Sequence, residues 1–176
     1  WSFTTLAGDV VSISVATPTS DVDSYAELRN SADGTLTSDN NSGADTDAFI
    51  SHYTIATSGD YFVRIGKNSS STVSGAYQLR VDVARGINLE SDAQYANDSI
   101  AGADSIAFPP GAPQHAVAQV SGTVMEAEGA NTDEDYFSLG ILDPGNTVTL
   151  TTQLPAISTL NGKVRIVDST GTNVVD

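Results

Sequence analysis

Cysteine is absent from this chain of 176 residues, which excludes disulfides, thiol nucleophiles and thiolate metal sites. Basic residues are scarce: the chain has 7 Lys and Arg against 22 Asp and Glu, and its formal net charge is −15. This balance predicts no nucleic-acid partner and no binding to an anionic membrane surface, because both require clustered Lys and Arg. No apolar run approaches the roughly 18 residues of a membrane-spanning helix, so we expect no membrane insertion.

The sequence motifs of common catalytic sites are also missing. There is no Gly-x-Ser-x-Gly elbow, no His-Glu-x-x-His motif and no Gly-x-x-x-x-Gly-Lys loop. His52 and His115 have no neighbour in the sequence that indicates a proton relay. Asp133 and Asp135 resemble the paired acids of a glycosidase, but they lie on one loop, whereas such a cleft takes its carboxylates from separate elements. We therefore predict that the protein is not an enzyme.

Alternation of apolar and polar residues is the strongest pattern in the chain. It is clearest at residues 11–15, 61–65, 77–83 and 147–150, and residues 116–125 and 164–167 are further strand candidates. Turn residues bound these runs, as in Ala7-Gly8-Asp9 and Asp143-Pro144-Gly145. The best helix candidate, residues 91–103, has no sustained apolar stripe. Many short strands with regular turns predict an all-β fold, an antiparallel β-sandwich.

An internal repeat divides the chain. Residues 1–8 recur loosely as residues 137–145, and three turn residues then keep a displacement of 137: Gly8, Pro18 and Gly34 correspond to Gly145, Pro155 and Gly171. We therefore predict two tandem sandwich units, residues 1–86 and 87–176. The repeat is out of phase with the chain, so the first unit lacks its opening strands and the second lacks its closing hairpin. We expect either a piece of a longer protein or a complete subunit that completes its sheets with a neighbour.

The order of motifs resembles that of bacterial pre-peptidase C-terminal (PPC) domains. SGDYFVRI at residues 58–65, followed by SGAYQLRV at 74–81, is similar to the closing hairpin of that family. Asn97-Asp98-Ser99 and DEDYF at 133–137, which leads to a Pro-Gly turn, are similar to its opening. The resemblance implies a jelly-roll-like sandwich that is not itself catalytic. It also implies an extracellular or cell-surface location, since such modules are usually appended to secreted proteases and other surface enzymes.

The resemblance also implies calcium. The related collagen-binding domains of clostridial collagenases bind calcium and a polymer, and an acidic linker ending in Asn-Asp shares the ion with an acidic turn before a Tyr-Tyr or Tyr-Phe strand. Asn97, Asp98 and Asp135 match that pattern here. The sequence departs from the family pattern where Ala93-Gln94-Tyr95-Ala96 replaces the acids expected in the linker. Three further residues are candidate ligands. Glu90 and Asp92 lie upstream of the expected positions, and Asp133 is one place from the expected turn acid. The alternative is a solvated Asn/Asp turn without an ion.

A second acidic segment is another candidate for calcium binding. Oxygen-bearing side chains recur at Asp39, Asn41, Asp45 and Asp47, as at the start of an EF-hand. However, Gly43 comes one residue early and no closing Glu follows. We interpret this segment as a hairpin loop.

A candidate contact face follows from strand alternation. If Tyr61 and the residues alternating with it point inward, the outward residues of the predicted hairpin are Phe62, Arg64, Gln78 and Arg80. An exposed Phe beside two Arg would suit an extracellular polymer. The alternative is that the Arg stems only cover the Phe ring.

Two hypotheses for function follow. The first is a non-catalytic extracellular β-sandwich module, stabilised by a calcium ion that stiffens residues 88–98, which acts as a binding or spacer domain. The second is a structural subunit of an extracellular filament, in which unpaired sheet edges accept strands from neighbouring copies of the same chain. Such head-to-tail exchange is open-ended and builds fibres.

Overall fold

The structure is a computed structural model that describes residues 1–70, 72–109 and 115–175. It divides into two compact units, Trp1–Ser138 and Leu139–Asp176. The predicted all-β fold is confirmed, and the helix found in the described residues is a short 3-10 turn, Ile100–Gly102. The strands are β1 Ser2–Thr5, β2 Val10–Ala16, β3 Ser24–Asn30, β4 Thr35–Asp39, β5 Phe49–Thr54, β6 Gly59–Lys67, β7 Gln78–Ala84, β8 Asn88–Leu89, β9 Asp104–Ser105, β10 Val120–Ser121, β11 Phe137–Ser138, β12 Ile166–Val167 and β13 Asn173–Val175. No helix in these three ranges is long and apolar enough to cross a membrane.

Strands β1 to β7 form a two-sheet sandwich, which we call the first sandwich (residues 1–86). One sheet has the order β1-β6-β3-β4 and the other β5-β2-β7, and all the pairs are antiparallel. Alternation along β2 buries Val11, Ile13 and Val15 in a core shared with Ala26 and Leu28 of β3. Fully burying one such side chain contributes about 1.5–3 kcal/mol, so these strands form the stable part of the fold.

The predicted closing hairpin is wrong. β6 pairs with β1 and β3, whereas β7 pairs with β2 in the opposite sheet. β6 and β7 therefore lie in different sheets, although they are consecutive in the sequence. The inward positions were right for Tyr61 and Val63, which are buried, but Tyr77 precedes β7 and is exposed.

Residues 87–138 pack with the first sandwich in one compact unit, although the sequence analysis assigned them to the second repeat. Their regular structure consists of two short parallel ladders, β8 with β10 and β9 with β11. The predicted strand at residues 116–125 is confined to β10, and residues 91–103 form no α-helix. The parallel ladders matter for function because they bring two distant acidic segments together.

Residues 139–175 contain one hairpin, β12 with β13. The predicted strand at 147–150 is not formed, because no described residue pairs with it. Apolar side chains in this unit are exposed instead of forming a core, including Ile141 at 99% and Ile157 at 94%.

Two turns of this second unit repeat hydrogen bonds of the first sandwich. The Asp9 backbone N–H donates to the Leu6 carbonyl and the Leu6 N–H donates to the Asp9 carboxylate. The Asn146 N–H donates to the Asp143 carbonyl and the Asp143 N–H donates to the Asn146 side chain, 137 positions further along. In both turns the third residue is a glycine with positive φ.

The β3–β4 turn recurs in the same way. The Asn30 N–H donates to the Gly34 carbonyl, and the Gly34 N–H donates to the Asn30 side chain. Asp168 and Thr172 exchange the same two bonds, 138 positions further along. This turn matches Gly34 to Thr172, one position beyond the Gly171 that the sequence matched to it, and the division into two tandem units stays a prediction.

Candidate metal centre

Two segments that are distant in sequence bring their acidic side chains together. One follows β8 and carries Glu90, Asp92, Asn97 and Asp98, and the other precedes β11 and carries Asp133 and Asp135. We call these six residues the acidic site. Carboxylate oxygens of Asp92, Asp98 and Asp133 all lie within 4.8 Å of one another. Asp135 lies close enough to Glu90 for its charge to raise the pKa of Glu90.

Backbone hydrogen bonds hold the two segments against each other. The Tyr136 N–H donates to the Asn97 carbonyl at 3.0 Å, and the Asp104 N–H donates to the Tyr136 carbonyl at 2.9 Å. Asp104 begins β9, which pairs with β11 directly after the acidic turn. The two acidic segments are therefore fixed by main-chain hydrogen bonds, which leaves their side chains available for other contacts.

Four residues of the acidic site are buried, and Asp98 and Asp135 are half-buried. The exposed fraction of Asp92 and of Asn97 is 0%, and Glu90 and Asp133 are nearly as enclosed. Eight of its buried side-chain atoms have no hydrogen-bond partner among the described residues: Glu90 Oε2, Asp92 Oδ2, Asn97 Oδ1 and Nδ2, both carboxylate oxygens of Asp98, Asp133 Oδ1 and Asp135 Oδ1. Buried polar atoms are nearly always paired, and each unpaired one costs about 1–3 kcal/mol. Most of these atoms are carboxylate or amide oxygens, which are the donor type that hard cations take as ligands.

In each of three carboxylates, one oxygen accepts a backbone hydrogen bond, while the other oxygen has no hydrogen-bond partner among the described residues. The Thr123 N–H donates to Glu90 Oε1, the Met125 N–H to Asp133 Oδ2, and the Asn97 N–H to Asp92 Oδ1. The opposite oxygen of each is among the unpaired atoms. Metal-binding carboxylates are commonly oriented in this manner, with one oxygen on a protein donor and the other on the ion.

A glycine makes room for one of these carboxylates. Gly122 lies against Glu90, and a Cβ at this position would overlap the Glu90 carboxylate. The segment 122–125 therefore supplies both the space and the backbone donors for the acidic site.

Burial and nearby negative charge raise the pKa values of four of these acids, Glu90, Asp92, Asp133 and Asp135, and so favour their protonated forms. Burial, with the charge of Asp135, raises the pKa of Glu90 to about 9. Burial, with the charge of Asp133, raises the pKa of Asp92 to about 7 and that of Asp135 to about 6. The pKa of Asp133 is raised by burial too, although the Met125 N–H opposes the rise. A cation would replace these protons.

The six predicted ligands thus lie together, including Glu90, Asp92 and Asp133, which depart from the family pattern. Sequence reasoning missed Asp104, whose carboxylate accepts a hydrogen bond from the Ser91 N–H at 2.6 Å and whose charge adds to the rise in the pKa of Asp135. It also missed Gly122 and the donors at Thr123 and Met125. No motif spacing marks these residues, since they reach the site through the parallel ladders.

The candidate contact face is not a single surface. Phe62 and Arg64 lie on β6, but Gln78 and Arg80 lie on β7 of the other sheet. Arg64 donates to Glu27 at 3.0 Å, and Arg80 forms an ion pair with Asp82 at 2.7 Å, so the charge of each is already balanced. Phe62 remains 42% exposed.

Two of the three acids of residues 39–47, Asp39 and Asp47, have protein partners. Asp39 accepts hydrogen bonds from the N–H groups of Ser42 and Phe49, each at 2.9 Å. Asp47 accepts from the Thr17 N–H and hydroxyl. These two carboxylates shape the loop between β4 and β5. The segment is a loop, but the predicted hairpin is wrong, because β4 and β5 belong to different sheets.

No family model, curated protein or solved structure matches the chain. Its function has to be inferred from the chemistry of the acidic site itself.

Proposed function

We propose that this chain is a non-catalytic, calcium-stabilised β-sandwich module of an extracellular protein, which acts as a binding or spacer domain. The observation that carries the proposal is the set of buried, unpaired oxygens in the acidic site. Seven of the eight unpaired atoms are oxygens, and Ca²⁺ takes six to eight oxygen ligands at about 2.3–2.6 Å.

The donor chemistry favours Ca²⁺ over other common ions. Zn²⁺ prefers His and Cys, and the acidic site contains neither. Mg²⁺ demands near-ideal octahedral geometry and usually keeps several waters, which a buried set of many carboxylates does not suit. Ca²⁺ accepts carboxylate and amide oxygens in flexible geometry, and this site offers both kinds.

Electrostatics explains why an ion would stabilise the fold. Two ionised carboxylates 4.8 Å apart repel by about 3 kcal/mol at an effective dielectric near 20. Asp92, Asp98 and Asp133 form three such pairs. A divalent cation between them converts this repulsion into attraction and holds the segments at 90–98 and 133–135 together, as a spacer or binding module requires.

Calorimetric titration with CaCl₂ tests the proposal. We expect one ion to bind per chain and the melting temperature to rise. In Asp98→Asn we expect the affinity to fall by at least tenfold, because both carboxylate oxygens of Asp98 lack a protein partner. Glu134→Gln is the matched control, since Glu134 is exposed and lies between the two turn acids. No binding heat and an unchanged melting temperature in the wild-type protein would remove calcium from the account.

The second candidate function is a filament subunit joined by strand exchange. The exposure of Ile141, Leu142 and Ile157, which lie outside the strands of residues 139–175, favours it, because exposed apolar segments can be covered by a strand from a neighbouring copy. We expect light scattering to show concentration-dependent assembly that Ile141→Ser with Ile157→Ser reduces, and that Thr159→Ser leaves unchanged. A monomer at every concentration defeats this candidate.

A further inference from the structure

The segment that carries four residues of the acidic site lies directly on the first sandwich. The Asp92 N–H donates to Ser51 Oγ on β5 at 3.0 Å. The Gln94 N–H donates to the Ser42 carbonyl in the β4–β5 loop at 2.9 Å. Leu89, just before this segment, is buried. The segment is therefore attached to the sandwich by main-chain donors.

The receiving strand is irregular at the point of contact. His52 has a φ of 55°, in the left-handed region that a non-glycine residue seldom adopts, and the register between β2 and β5 shifts between Val11 and Ile13. The His52 N–H donates to Ser12 Oγ at 3.1 Å. Bulges of this kind redirect side chains and interrupt a regular ladder.

The same bulge contacts a second residue of the acidic site. The His52 ring Nδ1 lies 3.4 Å from the Glu90 carbonyl oxygen. Glu90 and Asp92 thus share one arrangement. The main chain of each touches β5, and the side chain of each belongs to the acidic site.

We infer that Ser51 is a positioning residue for the calcium site, and that ion binding is thermodynamically coupled to the docking of residues 90–94 on the first sandwich. This inference rests on the proposed function. Ser51 touches no ion ligand atom; it fixes the backbone of Asp92 and so the place of its carboxylate. Preorganised ligands bind more tightly because less ordering is needed on binding. By linkage, the ion must strengthen the docking by the same factor as the docking strengthens ion binding.

The test compares calcium affinity in three variants. Ser51→Ala removes the acceptor, and we expect the dissociation constant for Ca²⁺ to rise roughly three- to tenfold, the range for one lost hydrogen bond. Ser51→Thr keeps a hydroxyl and is expected to restore most of the affinity. Thr54→Ala, an exposed position on the same strand, is the control and should bind calcium as the wild-type protein does.

A second readout separates positioning from a merely structural role. Coupling predicts that calcium slows amide hydrogen exchange at Asp92 and Gln94 in the wild-type protein, a measurement that needs no variant. It also predicts that Ser51→Ala lowers the stability of the calcium-loaded protein more than that of the calcium-free protein. Equal losses in both states, with an unchanged dissociation constant and unchanged exchange, would overturn the inference while the calcium site stands. Absence of calcium binding in the wild-type protein would instead remove the proposed function, and this inference with it.

Discussion

Replacing Asp92 with Asn should have opposite effects on the protein with and without calcium. Asn is nearly isosteric and keeps the Oδ1 acceptor that the Asn97 N–H uses. The substitution removes one charge from the trio in which Asp92 lies within 4.8 Å of Asp98 and Asp133. In calcium-free buffer the variant should therefore be more stable than the wild-type protein.

The magnitude follows from the spacing of the charges. Each ionised pair at this separation costs about 3 kcal/mol at an effective dielectric near 20. The pKa of Asp92 is about 7, so at pH 8 the group is mostly ionised in the folded protein. Since protons on neighbouring acids relieve part of the repulsion, we expect a gain of about 2–3 kcal/mol, or roughly 5–10 °C in melting temperature for a chain of this size.

In calcium, the wild-type protein should be more stable than the Asp92→Asn variant. An ion at a hundred times its dissociation constant adds about 2.7 kcal/mol to the wild-type protein, and the variant should lose most of that gain. Urea unfolding at pH 8, in EDTA and in calcium, measures both effects, with Glu134→Gln as the control of equal charge change. If Asp92→Asn is less stable than the wild-type protein in EDTA, the carboxylates do not repel one another in the fold and the reasoning fails.

Four further predictions test separate parts of the structure. Gly122→Ala should weaken calcium binding at least tenfold in calorimetry, because its Cβ would displace the Glu90 carboxylate; unchanged affinity would show that Glu90 is not a ligand. Because the pKa of Glu90 is raised in the fold, the calcium-free protein should lose stability as pH rises from about 4.5 towards 9. Saturating calcium should abolish that loss in urea titrations. A calcium-free protein that gains stability over this pH range would contradict the prediction. The pKa of Asp9 is instead lowered to about 2 by hydrogen bonds from Arg85. The contribution of ionised Asp9 to folding stability is therefore present above about pH 4 and is lost as pH falls towards 2. Asp9→Asn should lower the melting temperature at pH 7 and leave it nearly unchanged at pH 2. Leu28→Ala should cost about 2–5 kcal/mol in urea unfolding, a loss that calcium does not repair, because Leu28 is fully buried in the first sandwich.

Strand identity was predictable because it depends on local alternation. The patterns at residues 11–15 and 61–65 gave β2 and β6, with the buried residues on the expected sides. Pairing was not predictable from the same signal. β6 and β7 read as a hairpin because they are consecutive and similar, but alternation says which side is apolar and not which strand lies beside it. The same error placed Phe62 and Arg80 on one predicted face, whereas they lie on two different sheets.

The acidic site was predictable in its membership but not in its construction. Asn97, Asp98 and Asp135 came from the resemblance, and the structure places Glu90, Asp92 and Asp133 with them. What brings them together is a set of backbone contacts from residues with no distinctive spacing. The contact of Asp92 with Ser51 spans 41 positions, and a single sequence carries no periodic signal for such a hydrogen bond.

An anomalous difference map from crystals grown with calcium is the most direct test of the central claim. The account predicts one peak enclosed by carboxylate oxygens of Asp92, Asp98 and Asp133. A folded protein with no peak there, and with these side chains turned out to solvent, would contradict it.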